Sequence, residues 1–336
     1  MAVSRLGARA LACGTVAATL LGAAFASSAS ASTDVVKHGM VTRNAHAAGK
    51  TRPGSNNLYY HGGSVSVNPK IYIVYWGSQW GSGTSPTNDP SGEVALQLSF
   101  FQHMYGAGDN WSTSTTQYCQ GVATGTTQCG TAGTHVGHPA ANPVAGTWLD
   151  NTAAAINGAT STQIATEAKA AAAHFNDYTP GVQYIVDFPT GVEPSGFAAT
   201  SGGNYCAWHD STVAAGGTIA FTNMPYMTDA GSSCGSGFVP TGTSGVNATS
   251  EGVTIVGGHE YAETLTDQWP SSTGAWQDSR GSENGDKCAW ISSGQGASSI
   301  VSLNGANFAV QSLWSNNYGS GAGGCAIYYN SATSQG

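Results

Sequence analysis

The chain has 336 residues, of which 10 are basic and 18 acidic, for a formal net charge of −8. Only 8% of residues are charged and 47 are glycine, which suits a soluble, loop-rich extracellular protein. From Asn57 onward the only basic residues are Lys70, Lys169, Arg280 and Lys287, while every acid except Asp34 lies in that stretch. Such an acidic body excludes a phosphate-tracking surface, so no nucleic-acid partner is expected.

Residues 1–31 read as an export signal. Arg5 and Arg9 form a basic start, Ala10 to Ala26 an apolar centre, and Ala29-Ser30-Ala31 a small-residue cleavage site. No later stretch is apolar for long enough to span a bilayer, so no membrane association is expected. Residues 32–56 lack apolar periodicity and contain Gly49, Pro53 and Gly54. They read as a linker or short propeptide, best described as an unstructured arm. Residues 57–336 then form a single domain, expected to act as a monomer.

Within it, Lys70 to Trp76 is a β-branched and aromatic run, the signature of a buried strand. Val94, Leu98 and Phe101 predict a helix over Glu93 to Tyr105. The alanine-rich stretch Thr162 to Phe175 predicts another, with Ile164, Ala168, Ala171 and Phe175 on one face. Val182 to Phe188 and Thr218 to Thr222 read as strands, and 106–150 and 189–216 as Gly/Thr-rich loops. Cys13 leaves with the signal, so six cysteines remain. Proximity favours Cys119–Cys129, Cys206–Cys234 and Cys288–Cys325 as disulfides. The predicted fold class is α/β (α+β): a zincin-like mixed sheet packed by helices, loop-rich and disulfide-stapled.

The most informative segment is His259-Glu260-Tyr261-Ala262-Glu263. It has nearly the form of the H-E-x-x-H zinc helix, in which two ligands four residues apart share one face and the intervening Glu activates water. Glu263 stands where the second His would be. That preserves the geometry but makes the ligand set harder and richer in oxygen, so zinc is the expected ion, with calcium or another divalent ion as alternatives. The apolar run Val253 to Val256 and Gly257-Gly258 lead into His259, and Pro270 closes the segment. Asp267 lies about 12 Å beyond His259 along a helix, too far to reach the same ion. A chain reversal through Ser271 to Gly274 would return Asp278, Glu283 and Asp286. Glu283 is the expected third ligand, Asp286 its partner or substitute, and Asp278 the next choice. His209, in a loop next to Cys206, is a second catalytic candidate beside Glu260, either as a donor to a reaction intermediate or as a further ligand. His135 and His138 have metal-like spacing but sit in a Gly/Pro loop and rank below these.

Five stretches in consistent order resemble the EXORDIUM, or phosphate-induced, family of secreted proteins and its bacterial relatives. They are His61-Gly62-Gly63 with the Lys70 to Trp76 strand, Cys206-Ala207-Trp208-His209, the 259–263 motif, Glu283-Asn284-Gly285-Asp286-Lys287-Cys288, and Asn304-Gly305 through Gln311 to Ser315 and Cys325. In the family the helix motif reads H-E-x-A-E and the later one E-I-G-D-x-C, so Asn284 here replaces an Ile. The resemblance covers roughly residues 57–330. It implies either a zincin-type metallopeptidase acting on a peptide or protein, or a non-catalytic wall-binding protein with a structural metal. The second would bind a cell-wall polymer or a surface partner through exposed aromatics such as Trp76, Trp80 and Trp111. The favoured expectation is a secreted metal-dependent hydrolase. It would hold its ion through His259, Glu263 and Glu283, with Glu260 as general base.

Overall fold

The computed structural model describes residues 1–2, 38–47, 57–200 and 203–328. The expected export signal therefore lies almost wholly outside the described residues. A five-stranded mixed sheet organises the chain: β1 (Lys70–Trp76), β2 (Val144–Asp150), β3 (Val182–Asp187), β4 (Trp208–Ala214) and β5 (Gly217–Met224). The strand order is β2-β1-β3-β5-β4. β2, β1, β3 and β5 run parallel, and β4 pairs antiparallel with β5 at the edge. β1 and β3 are interior strands buried along nearly their whole length, which suits their predominantly apolar sequences.

β2 and β4 occupy stretches whose composition predicts loops. Both are edge strands with only one well-covered face. Their residues alternate between covered and accessible, or are polar outright as in His209-Asp210-Ser211-Thr212, and so carry no apolar run.

Three helices flank the sheet. α1 (Glu93–Gln102) begins where Asp89 accepts the amide hydrogens of Glu93 and Val94. α2 (Ser161–Phe175) opens on a capping box between Thr160 and Gln163 and ends at Asn176 in the left-handed conformation. It covers one face of the sheet, where Phe175 stacks on Tyr72 and Tyr72 on Tyr184. α3 (Glu251–Thr266) and α1 cover the other. Gln97 donates to Asp187 and Gln183 to Thr264, and Gln183 and Asp187 alternate in direction with Tyr184.

Every residue of α3 is buried. It runs between the sheet and a hairpin, β6 (Ser299–Leu303) with β7 (Ala306–Val310), and Thr254 donates to the Ala309 carbonyl at 2.6 Å. Gly258 lets this happen, because a Cβ there would lie 3.0 Å from the Trp111 ring.

The three disulfides join Cys119 to Cys129, Cys206 to Cys234, and Cys288 to Cys325, as proximity predicts. They suit an oxidising compartment. Among the described residues no helix is long and apolar enough to cross a membrane.

The described part of the predicted arm, 38–47, is packed rather than free. Arg43–Ala47 forms a helical turn, and Met40 is fully buried. The reason is pairing with residues 204–209, which sequence periodicity does not register.

Candidate metal centre

Helix geometry sets the first pair. His259 and Glu263 are one turn apart, with His259 Nε2 3.1 Å from Glu263 Oε1. β4 supplies His209. It lies directly across from Thr222 of β5, whose hydroxyl takes a hydrogen bond from Gln183, so His209 points to the α3 side of the sheet. His209 is thus a strand residue rather than a loop residue. Its Nδ1 lies 3.1 Å from Glu260 Oε2 and 3.5 Å from Glu263 Oε2, and its Nε2 is 3.2 Å from Glu283 Oε2. Glu283 arrives on the return segment after α3. His209, His259, Glu260, Glu263 and Glu283 are all 0–1% exposed.

Two overlapping groups result, His209 with Glu263 and Glu283, and His259 with Glu260 and Glu263. In each the donor atoms lie within 4.8 Å of one another, close enough to hold a metal ion. Among the described residues His209 Nε2, His259 Nε2, Glu263 Oε2 and Glu283 Oε2 are buried without a hydrogen-bond partner. Buried polar atoms are normally paired, so the unpartnered donor atoms within these two overlapping groups fit a cation. Two imidazoles with two carboxylates form a mixed nitrogen and oxygen set. It suits zinc or another transition ion better than calcium, which prefers oxygen alone.

The return segment approaches this closely only because residue 285 is glycine. A Cβ there would lie 2.8 Å from His259 Nδ1 and 2.9 Å from Glu263 Oε1. Asn284 donates to the Ala262 carbonyl at 3.0 Å and ties the segment to α3. The Asp286 amide donates to Glu263 Oε1 at 2.8 Å, while its carboxylate accepts from the Glu283 amide and stays 3.9 Å from His259 Nε2. It positions the two acids. Asp278, the next choice as third ligand, is committed elsewhere: it caps the turn to Arg280 and Ser282 and pairs with buried Lys287 at 3.1 Å. Asp267 caps α3 and shares the Gln277 amide with Glu283, so it joins the acids through Glu283 and not through His259. His135 and His138 do not meet: His135 bonds the Thr116 carbonyl, and His138 packs edge-on against Tyr105.

Gln311, at the end of the hairpin, is the residue whose role the sequence hides. Its Nε2 donates to the carbonyls of Gly285 and Ser312, which leaves Oε1 to accept from His259 Nδ1 at 3.1 Å. His259 Nε2 is thereby turned toward Glu263. Glu260 does the same for His209 through Nδ1.

Charge in this pocket is dominated by acids. Burial alone would depress His259, but Glu263 and Glu260 outweigh it and hold the ring up to about 10. Burial likewise opposes a charged His209, yet Glu283, Glu260 and Glu263 keep it well above its usual range. Burial would raise Glu283, and His209 and His38 instead pull it far below the usual carboxylate range. Asp267 is pushed well up by burial and then by Glu283, and Asp286 by burial and then by Glu263.

The N-terminal segment closes the site. The Met40 amide donates to Glu260 Oε1 at 2.9 Å, and His38 Nδ1 lies 3.4 Å from Glu283 Oε1. Trp76, Trp80 and Trp111, expected as exposed binding aromatics, are buried. The Trp80 and Trp111 ring nitrogens donate to the carbonyls of Asp187 and Gln311, and Trp76 packs on Phe188. Compared with protein-family models, curated proteins and solved structures, the chain matches none.

Proposed function

We propose that this chain is a secreted, metal-dependent hydrolase of the zincin kind, acting on peptide bonds. The observation that carries this reading is the pair of buried His/Glu groups joined at Glu263, in which His209, His259, Glu263 and Glu283 each leave a donor atom unpartnered. These four residues would hold the ion, extending the set expected from sequence by His209. A zinc ion held there would act as a Lewis acid and lower the pKa of bound water toward about 7. Gln311 and Glu260 orient the two imidazoles through their Nδ1 atoms. Glu260 is the group placed to move a proton: His209 fixes one of its oxygens, and the other faces the N-terminal segment. The disulfides and the signal-like start support secretion.

Metal analysis of the mature chain with two variants tests the reading. Wild type should carry a stoichiometric ion. Glu263→Gln should lose it, whereas Glu260→Gln should keep it and lose about 10²–10⁴-fold in hydrolysis. A metal-free, fully folded wild type sinks the proposal. So does a Glu260→Gln variant with full activity.

The second reading is a structural ion in a non-catalytic protein. The complete burial of the site favours it, although a wall-binding surface built on Trp76, Trp80 and Trp111 has no support. Which reading holds depends on what the sealing segment does.

A further inference from the structure

Residues 38–42 lie as an extra strand along 204–209. His209 N donates to His38 O at 3.1 Å, Cys206 N to Met40 O at 2.7 Å, and Thr42 N to Asn204 O at 2.9 Å. Val41 and Tyr205 form an antiparallel bridge. In a regular antiparallel pair, a residue whose carbonyl accepts its partner's amide returns its own amide to that partner's carbonyl. Met40 departs from this rule. It accepts from Cys206 but turns its own N–H toward Glu260 Oε1. Two residues earlier, His38 projects toward Glu283. The segment therefore occupies Glu260, the acid that the hydrolytic reading needs free, and reaches one oxygen of the proposed ligand Glu283, so it stands where a substrate would have to approach Glu260.

Its seat is shaped for main chain. Gly39 passes so close to the edge that a Cβ would lie 2.4 Å from Trp208 Cβ and 2.6 Å from the Ala207 carbonyl. The far end is held by Trp290 Nε1 on the Val41 carbonyl at 2.7 Å, and by Arg43, which donates to Ser232 O and lies over the Phe238 ring.

We infer that the 204–209 edge is the peptide-binding edge of this protein, and that residues 38–42 occupy it as an extended polypeptide substrate would. The ligand class is a polypeptide in extended form, read through its backbone by strand addition, with glycine at the position over Trp208. One of its amide hydrogens meets Glu260. The inference rests on the proposed hydrolase and gives it both a substrate class and a resident inhibitor.

The test uses the mature chain beginning at Ser32, with Met40→Pro to delete the N–H on Glu260 and Gly39→Val to force the segment off Trp208. Gly39→Val serves if Met40→Pro fails to fold. Amide exchange at Cys206 and His209 is the primary readout and is independent of metal. Both variants should exchange these amides at least tenfold faster than wild type. An added peptide with the sequence of residues 38–47 should restore protection, and the same peptide with valine for glycine at position 39 should not. Metal-loaded variants should also hydrolyse casein at least tenfold faster than wild type, and the 38–47 peptide should inhibit them. Folded variants with unchanged exchange, or failure of the peptide to rebind, overturn the inference whatever the metal content. Rebinding without metal or hydrolysis supports the peptide edge and removes the hydrolase reading alone.

Discussion

Replacing Gln311 by leucine isolates the part of the site that lies outside every recognisable motif. Leucine is close to glutamine in volume and Gln311 is fully buried, so packing changes little. Three polar partners are lost: His259 Nδ1–H, now accepted at 3.1 Å, and the Gly285 and Ser312 carbonyls, now bonded at 2.8 and 3.1 Å. Each group left buried and unpaired costs about 1–3 kcal/mol of stability. Loss of such a supporting partner to a ligating histidine typically weakens metal binding about 10–100-fold, equivalent to about 1.4–2.7 kcal/mol. Gln311→Glu separates the two effects. A carboxylate still accepts from His259 but offers Gly285 no donor, so this variant should lose stability while holding metal better than the leucine variant. Competition with a chromophoric chelator at fixed pH measures the affinity, and urea denaturation measures stability. A folded Gln311→Leu variant that binds metal as tightly as wild type would refute the assignment of His259 Nε2 as a ligand oriented through Gln311.

Gly285→Ala should reduce metal content in a protein that still folds, because the added methyl meets His259 and Glu263 at under 3 Å. Unchanged metal content would mean that the return segment has room to retreat. Asp278→Asn should destabilise the fold by removing the charged partner 3.1 Å from buried Lys287, yet retain metal in the folded fraction; loss of metal without loss of stability would reinstate Asp278 as a ligand. Glu93 accepts hydrogen bonds from Met227 and Thr228, yet burial raises it from 4.5 to about 7. The folded chain thus binds this proton more tightly than the unfolded one. The resulting stability is fully present below pH 4.5 and is lost as pH rises through about 7. Glu93→Gln should remove a pH-dependent contribution of about 3 kcal/mol between pH 5 and 8. Equal losses in wild type and variant over that range, by urea denaturation, would contradict it.

How much of this was legible in the sequence follows from what each signal depends on. β1, β3 and α2 announce themselves because burial on both faces, or along a helix stripe, is written into consecutive residues. β2 and β4 do not, since an edge strand needs only one covered face and tolerates the Gly, Ser and Thr that also mark loops. The cost of that ambiguity falls on the site. Assigned to a loop, His209 is one of several stray histidines; assigned to β4 across from Thr222, it has a fixed direction, toward α3.

The site divides the same way. His259 and Glu263 are readable because helix spacing alone brings them together, and Glu283 and Asp286 because acids are scarce enough in this chain to be conspicuous. Gln311, Gly285 and Met40 carry no such mark. Gln311 acts through a neutral amide 52 residues from His259. Gly285 acts by lacking a side chain, and Met40 acts through a backbone N–H that every residue but proline possesses. A composition with no apolar period reads as an unstructured arm when the only available partner is its own core. Residues 38–42 show the exception: a strand that borrows the edge of an existing sheet needs backbone complementarity and one glycine, not a pattern of its own. What the sequence presents as the least structured part of the described chain is therefore the part that reaches Glu260 and Glu283.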